Sequence, residues 1–76
     1  MTELQLMRVI GRNLKDVLDD ALMTQRELSD ETGINESTIS RYIRGESMPS
    51  LKNIMNIAYV MECDLNELVP CDEKVI

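Results

Sequence analysis

Thr24-Gln25-Arg26-Glu27-Leu28-Ser29-Asp30-Glu31-Thr32-Gly33-Ile34-Asn35-Glu36-Ser37-Thr38-Ile39-Ser40-Arg41-Tyr42-Ile43-Arg44-Gly45 reads as two short helices joined by a tight turn. Thr24 with Glu27 is a capping-box pair, and Met23 and Leu28 stand at the two positions of a hydrophobic staple, so a helix starts at Gln25 and runs to about Thr32. Gly33 stops it, because glycine accepts the left-handed conformation a helix ending needs, and Ile34 follows as the usual apolar contact. Asn35 then caps a second helix, about Glu36 to Arg44, closed by Gly45. Its apolar residues are only Ile39, Tyr42 and Ile43. Glu36, Ser37, Thr38, Ser40, Arg41 and Arg44 form a broad polar face that filling a core does not explain. Something polar is expected to meet it.

Outward from this pair, the punctuation predicts three more helices and no strand-like alternation, repeat or low-complexity linker. Upstream, Thr2 with Gln5 is a second capping box, opening a helix whose Leu6, Ile10, Leu14, Val17, Leu18 and Ala21 fall at three- and four-residue steps. Downstream, a polar loop ends in Pro49. Ser50 caps a helix with Leu51, Ile54, Met55, Ile57, Ala58 and Met61 expected inside, and Asp64 with Glu67 opens a last short helix carrying Leu65, Leu68 and Val69, ended by Pro70. The fold class is all-α, a compact five-helix bundle. At 76 residues the chain is one domain, with residues 1–69 forming the bundle and 70–76 a short acidic tail. A core of this size supplies roughly 3 to 5 kcal/mol, so good capping and a partner subunit are both expected.

Composition excludes more than it assigns. With no His, the commonest general base and metal ligand are missing, and the chain is read as no enzyme, with no metal and no cofactor. Cys63 and Cys71 lack the further ligands a tetrahedral zinc site needs. They are read as thiols, Cys63 packing as a small hydrophobe and Cys71 on a frayed tail; no export pattern points to an oxidising compartment, and the cytoplasm is the expected location. No apolar run approaches the ~20 residues that cross a bilayer, so no membrane role is expected.

Eight cations against 14 acids give a net charge of −6, which by itself argues against a polyanionic partner. Location changes that reading. Residues 62–76 hold five acids against Lys74 alone, a net −4, which leaves −2 for the rest, where Arg41, Arg44 and Lys52 lie close together in sequence. A local basic face survives an acidic total.

Two short helices joined by a glycine turn, the second with a polar face, is the helix-turn-helix arrangement, whose second helix enters the DNA major groove. The run from Thr24 to Gly45 resembles the lambda-repressor-like, Cro and phage-repressor family, the XRE type. The similarity extends through Pro49-Ser50-Leu51 and Asp64-Leu65-Asn66-Glu67-Leu68, covering about residues 8–69. The resemblance implies a sequence-specific DNA-binding transcriptional regulator of phage or mobile-element type, a repressor that occupies a two-fold operator on double-stranded DNA as a homodimer. It implies that Glu36, Ser37, Thr38 and Arg41 read bases. It places Gln25, Arg26, Asn35, Ser40, Arg44, Ser47, Ser50 and Lys52 on the DNA backbone. No small-molecule ligand is implied. Spacing agrees for the readers: Ser37 and Arg41 are four apart with Thr38 beside them, so they share one helical face. Arg41 suits guanine, whose O6 and N7 accept a bidentate fork, Thr38 suits a thymine methyl, and Glu36 either accepts from cytosine N4 or is a solvated acid favoured by the helix dipole. Were Arg26, Arg41, Arg44 and Lys52 all to meet phosphates in a dimer, the salt slope would be roughly −7.

Departures from the family carry their own expectations. The family often pairs an arginine of its first helix with a glutamate late in its third; here Leu18 and Ile43 stand there, and replacing both partners by packed hydrophobes predicts that the two touch. Frequent family glycines after the first and fourth helices are Leu22 and Glu62 here, which predicts joints less sharply left-handed. A dimer surface is expected either on the last helix and tail, through Leu65, Leu68, Val69, Val75 and Ile76, or on the N-terminal extension, through Leu4, Leu6 and Met7. The alternative function is a protein-interaction module on the same scaffold, such as an antitoxin or antirepressor whose acidic tail docks a basic partner. Glu36 and the −4 tail favour it, and the polar face with Arg41 and Arg44 opposes it.

Overall fold

The computed structural model describes residues 1–76. Five helices follow one another: α1 (Glu3–Asp20), α2 (Gln25–Thr32), α3 (Glu36–Ile43), α4 (Leu51–Met61) and α5 (Leu65–Leu68), with no strand. The first four starts carry the expected side-chain cap. The Thr2 and Thr24 hydroxyls accept from the Gln5 and Glu27 backbone N–H groups, while the side chains of Gln5 and Glu27 accept in return. Asn35 and Ser50 accept from Ser37 and Asn53, and Glu67 accepts from the Asp64 N–H. These bonds satisfy donors that a helix start leaves without partners.

The core is a single cluster built from every helix: Leu14, Leu18, Leu28, Ile34, Ile39, Tyr42, Ile57, Ala58 and Leu68. No buried side-chain polar atom lacks a partner. Amide side chains tie the layers together: Asn13 donates to the Leu68 carbonyl at 3.0 Å, Asn56 to the Thr32 carbonyl at 2.9 Å and Asn53 to the Tyr42 hydroxyl at 2.8 Å. Leu18 is buried, and Ile43 packs against the same cluster, so the position of a family ion pair is apolar packing here. Where α1 crosses α3, Gly11 is buried, and a Cβ on it would lie 2.6 Å from the Ile43 carbonyl oxygen and closer still to that of Tyr42. Only a glycine lets the two helices approach this far.

Three sequence expectations fail. Leu22 and Glu62 are fully left-handed, with φ of 55° and 53°. The reason is the hydrogen bonding of the two joints: Leu22 and Met23 donate to the Asp19 and Leu18 carbonyls, and Glu62 and Cys63 donate to those of Tyr59 and Ala58. This is the paired ending that requires a left-handed residue after the helix, with an apolar residue next, here Met23 and Cys63 packed on the core. The next N-cap follows immediately at Thr24 and Asp64, so the chain has no room for a looser turn. Burial along α4 is also narrower than expected. Leu51 and Met55 are 73% and 54% exposed and, with Tyr59 at 83%, form an outward stripe at four-residue steps; Ala21 is likewise exposed. Finally, the tail is not frayed at its end: the Met1 ammonium donates to the Lys74 carbonyl, and the Ile76 N–H to the Met1 carbonyl at 2.8 Å.

Candidate nucleic-acid interface

The site is assembled by the turn between α2 and α3. Gly33 adopts φ 76° and its N–H bonds the Ser29 carbonyl, ending α2. The Ser29 hydroxyl donates to the Ile34 carbonyl, and the Ile34 N–H to the Thr32 hydroxyl at 3.1 Å. Ile34 is buried, so the turn is pinned on both its polar and its apolar side. α3 then lies with Ile39 and Tyr42 inward. At its far end, Gly45 at φ 70° and Glu46 bond back to the Tyr42 and Arg41 carbonyls, the same ending as in the two other joints. Asn53 holds the Tyr42 hydroxyl from α4. The helix is therefore fixed at its start, end and inner face, and its outer face is left over.

That outer face divides by what its side chains already do. Glu36 and Arg41 are exposed, and neither of the chain's ion pairs, Lys15–Asp19 and Arg44–Glu46, uses them. Ser37 is exposed, but its hydroxyl donates to Asn35 Oδ1 at 2.7 Å while its N–H donates to the same oxygen at 2.9 Å. It keeps only lone pairs for an outside donor. Thr38 is half-buried. Arg44 donates from Nη1 to the Ser40 hydroxyl at 2.7 Å and from Nη2 to Glu46 at 3.2 Å. Glu36, in the first turn, sits where the helix dipole favours an acid.

The remaining positions surround this face. Gln25, the first residue of α2, is half-buried and Arg26 beside it is exposed. Ser50 is committed to capping α4 through Asn53, Ser47 is half-buried and Lys52 is exposed in the first turn of α4. The structure thus brings Asn35, Glu36, Ser37, Ser40, Arg41 and Arg44 onto one helix, with Lys52 on the next. Sequence reasoning missed Gly11, Asn53 and Glu46. A glycine inside an otherwise strong helical pattern was the signal for Gly11. The bonds of Asn53 and Glu46 join separate elements, so no local pattern announces them.

Of the side chains that titrate, Cys63 is shifted: burial pushes its thiol up, the carboxylates of Glu67 and Asp64 push the same way, and a hydrogen bond with Glu67 adds to them. It follows the C-cap of α4 and packs against the core cluster. No group of three or more Cys, Asp or Glu is placed to hold a metal ion, and no helix is long and apolar enough to cross a membrane.

A helix-turn-helix family model matches residues 14–68. The cryptic phage CTXphi transcriptional repressor RstR of Vibrio cholerae serotype O1 (strain ATCC 39315 / El Tor Inaba N16961) is 36% identical over 45 residues, 59% of this chain and 40% of the repressor. The chain thus spans less than half the length of that curated relative. Among solved structures, the restriction-modification controller protein C.AhdI from Aeromonas hydrophila superposes with a TM-score of 0.78 at 24% identity, over 82% of this chain and 94% of the other. An HTH_3 family transcriptional regulator from Vibrio cholerae gives 0.81 at 20% identity, over 86% and 36%. At these identities the structural likeness concerns the fold alone.

Proposed function

The chain belongs to the helix-turn-helix family, and from that premise we propose that it is a DNA-binding transcriptional regulator of phage or mobile-element type, a repressor that inserts α3 into the major groove. One observation carries the reading. A short helix fixed on its inner face, at its start and at its end presents Glu36 and Arg41 outward with no intramolecular partner. Arg41 reads guanine through its bidentate fork, and Glu36 accepts from cytosine N4. Ser37 contributes lone pairs, and Thr38 a methyl group. Gln25 and Arg26 at the start of α2, and the group Asn35, Ser40, Arg44, Ser47, Ser50 and Lys52, meet phosphates, which fix register without reading sequence.

The regulator works as a homodimer in the bacterial cytoplasm, its two recognition helices about 34 Å apart on a two-fold operator. The apolar surface for the subunit contact includes the α4 stripe of Leu51, Met55 and Tyr59 besides the exposed residues of the tail. Selection of bound duplexes from a random pool, followed by titration at ~50 mM salt, tests the reading. A two-fold sequence bound at least 10³-fold more tightly than bulk duplex, in the range expected of specific readers, is the anticipated result. Enrichment of no sequence, together with saturable binding of a basic protein to the acidic tail, would assign the scaffold to protein interaction instead.

A further inference from the structure

The N-terminal turns of α1 precede the segment matched by the family model, which begins at Leu14. They carry Arg8 and Arg12, four residues apart, both exposed, lining one shallow groove with Met1, Gln5 and Val9. Neither has an acidic partner. The ion pairs of the chain are Lys15–Asp19 and Arg44–Glu46, and Asp16, one turn after Arg12, makes none with it. Like charges at this spacing oppose helix formation. Six of the eight cations make no ion pair, and Arg8 and Arg12 are the two of these that line one groove together.

Their place in the fold says what they face. Gly11 points at the end of α3, since its Cβ would strike the Tyr42 and Ile43 carbonyls. One turn earlier, Arg8 lies against Gly45, the residue that closes α3: a Cβ there would be 3.1 Å from Arg8 Cγ and 3.2 Å from its Cα. Side chains turn by about 100° per residue around a helix, so Arg8 and Arg12 project about 60° and 100° to one side of Gly11. The buried Ile10 and Leu14 project to the other side. On α3 the same count from Ile43 puts Ser40 and Arg44 on the side away from the buried Ile39 and Tyr42. The solvent side of the α1–α3 seam is therefore lined by Arg8 and Arg12 from one helix and by Ser40 and Arg44 from the other.

We propose that Arg8 and Arg12 form a second phosphate grip, holding the DNA backbone next to the phosphates met by Arg44 and the loop after α3. The inference rests on the DNA-binding reading of α3 and adds to it a contact made by residues outside the family-matched segment. Guanidinium forks suit phosphate oxygens, and each phosphate neutralised releases counterions and steepens the salt dependence by about 0.9 in log K against log salt.

The test uses the full chain and the duplex selected above. Arg8→Gln with Arg12→Gln flattens the salt slope by about 1 to 2 per protomer and leaves the ranking of single-base substitutions unchanged. Arg8→Lys with Arg12→Lys keeps the slope. Phosphate ethylation interference shows a cluster of backbone positions that persists in Arg44→Gln and disappears in the double glutamine variant. A double glutamine variant with the wild-type slope and interference pattern overturns the grip while leaving the recognition helix standing. A wild-type protein with no preference for any duplex overturns the DNA-binding reading, and the grip with it.

Discussion

Replacing Gly11 by alanine sets two known effects against each other. In an exposed helix interior the change is favourable, by about 1 kcal/mol, because alanine restricts the unfolded chain and suits the helix. At this position the added Cβ falls 2.6 Å from the Ile43 carbonyl oxygen, with the Tyr42 oxygen nearer. Carbon and carbonyl oxygen rest at about 3.3 Å or more, so the Ile43 oxygen alone forces α1 and α3 apart by about 0.7 Å at the crossing, and the nearer Tyr42 oxygen by more. Both struck atoms are backbone, and no rotamer change relieves them. A gap of that size forfeits roughly a quarter to a half of the attraction between facing atoms, here those of Leu14, Leu18, Ile39 and Ile43. Overpacking of this kind costs about 1 to 3 kcal/mol and more when backbone must move. Taking about 3 for the strain against about 1 for propensity leaves a net loss of about 2 kcal/mol, near half of what so small a core supplies. A thermal melt followed by circular dichroism should place Gly11→Ala about 8 to 16 °C below the wild type. Gly33→Ala is the comparison: nothing lies within 4 Å of its added Cβ, and only the left-handed φ of 76° opposes it. A melting temperature for Gly11→Ala equal to or above the wild type would mean that the two helices do not meet this closely, and the placement of α3 derived from that contact would be wrong.

Three further outcomes follow from the same geometry. Leu22→Gly and Glu62→Gly each stabilise the protein by about 0.5 to 1 kcal/mol, since the left-handed strain of roughly 1 to 2 kcal/mol relieved at each joint exceeds the extra chain entropy of glycine; a lower melting temperature in both would contradict the joint geometry. In titrations of duplexes substituted one position at a time, Arg41→Ala loses about 1 to 3 kcal/mol of discrimination at one base pair, whereas Lys52→Ala weakens all duplexes alike and flattens the salt slope by about 1 per protomer. Equal loss across all sequences for Arg41→Ala would remove it from the base-reading set. Iodoacetamide at neutral pH alkylates exposed Cys71 ahead of Cys63, whose thiol is held protonated by burial and by Glu67 and Asp64. Because the folded state binds that proton more tightly than the unfolded one, this contribution to stability is complete below the ordinary thiol range and is lost as pH rises through the raised value. Peptide mapping that finds Cys63 modified first would refute the placement.

What the sequence made legible is what local chemistry decides. Helix starts follow from a hydroxyl or amide at the cap position, joined at Thr2 and Thr24 by a reciprocating side chain three residues on, and Thr2, Thr24, Asn35 and Ser50 all cap as expected. The polar face of α3 was equally plain, because eight residues with so few apolar positions can be read without knowing their neighbours. Leu22 and Glu62 misled for a physical reason. Their side chains disfavour the left-handed region, but the two backbone bonds of each joint and the packing of Met23 and Cys63 outweigh that local preference. The outward turn of Leu51 and Met55 misled differently: α4 buries one side only, and an apolar residue on the other side gives no sign in sequence that nothing within the chain covers it.

The candidate interface was legible as a set of residues and not in what each side chain has left to give. Asn35 Oδ1 takes both the Ser37 N–H and its hydroxyl, Ser40 takes Arg44, and Ser50 takes Asn53. Asn35, Ser40 and Ser50 act as acceptors and keep an N–H or O–H for a phosphate, whereas the Ser37 hydroxyl is spent as a donor. Exchange of Glu46 for a phosphate on Arg44 costs little, since an exposed ion pair with both side chains about half accessible contributes only about 0 to 1 kcal/mol. The Ser40 bond meanwhile keeps the Arg44 guanidinium against the helix, so less rotamer freedom is lost when DNA arrives. Arg41 has no such tether. It must order on binding, which makes its net contribution depend on whether the base it meets accepts both arms of the fork. A guanine does, and a base offering one acceptor does not. Discrimination by this surface therefore concentrates on the base pair beneath Arg41, and backbone affinity on Arg44 and its neighbours across the α1–α3 seam.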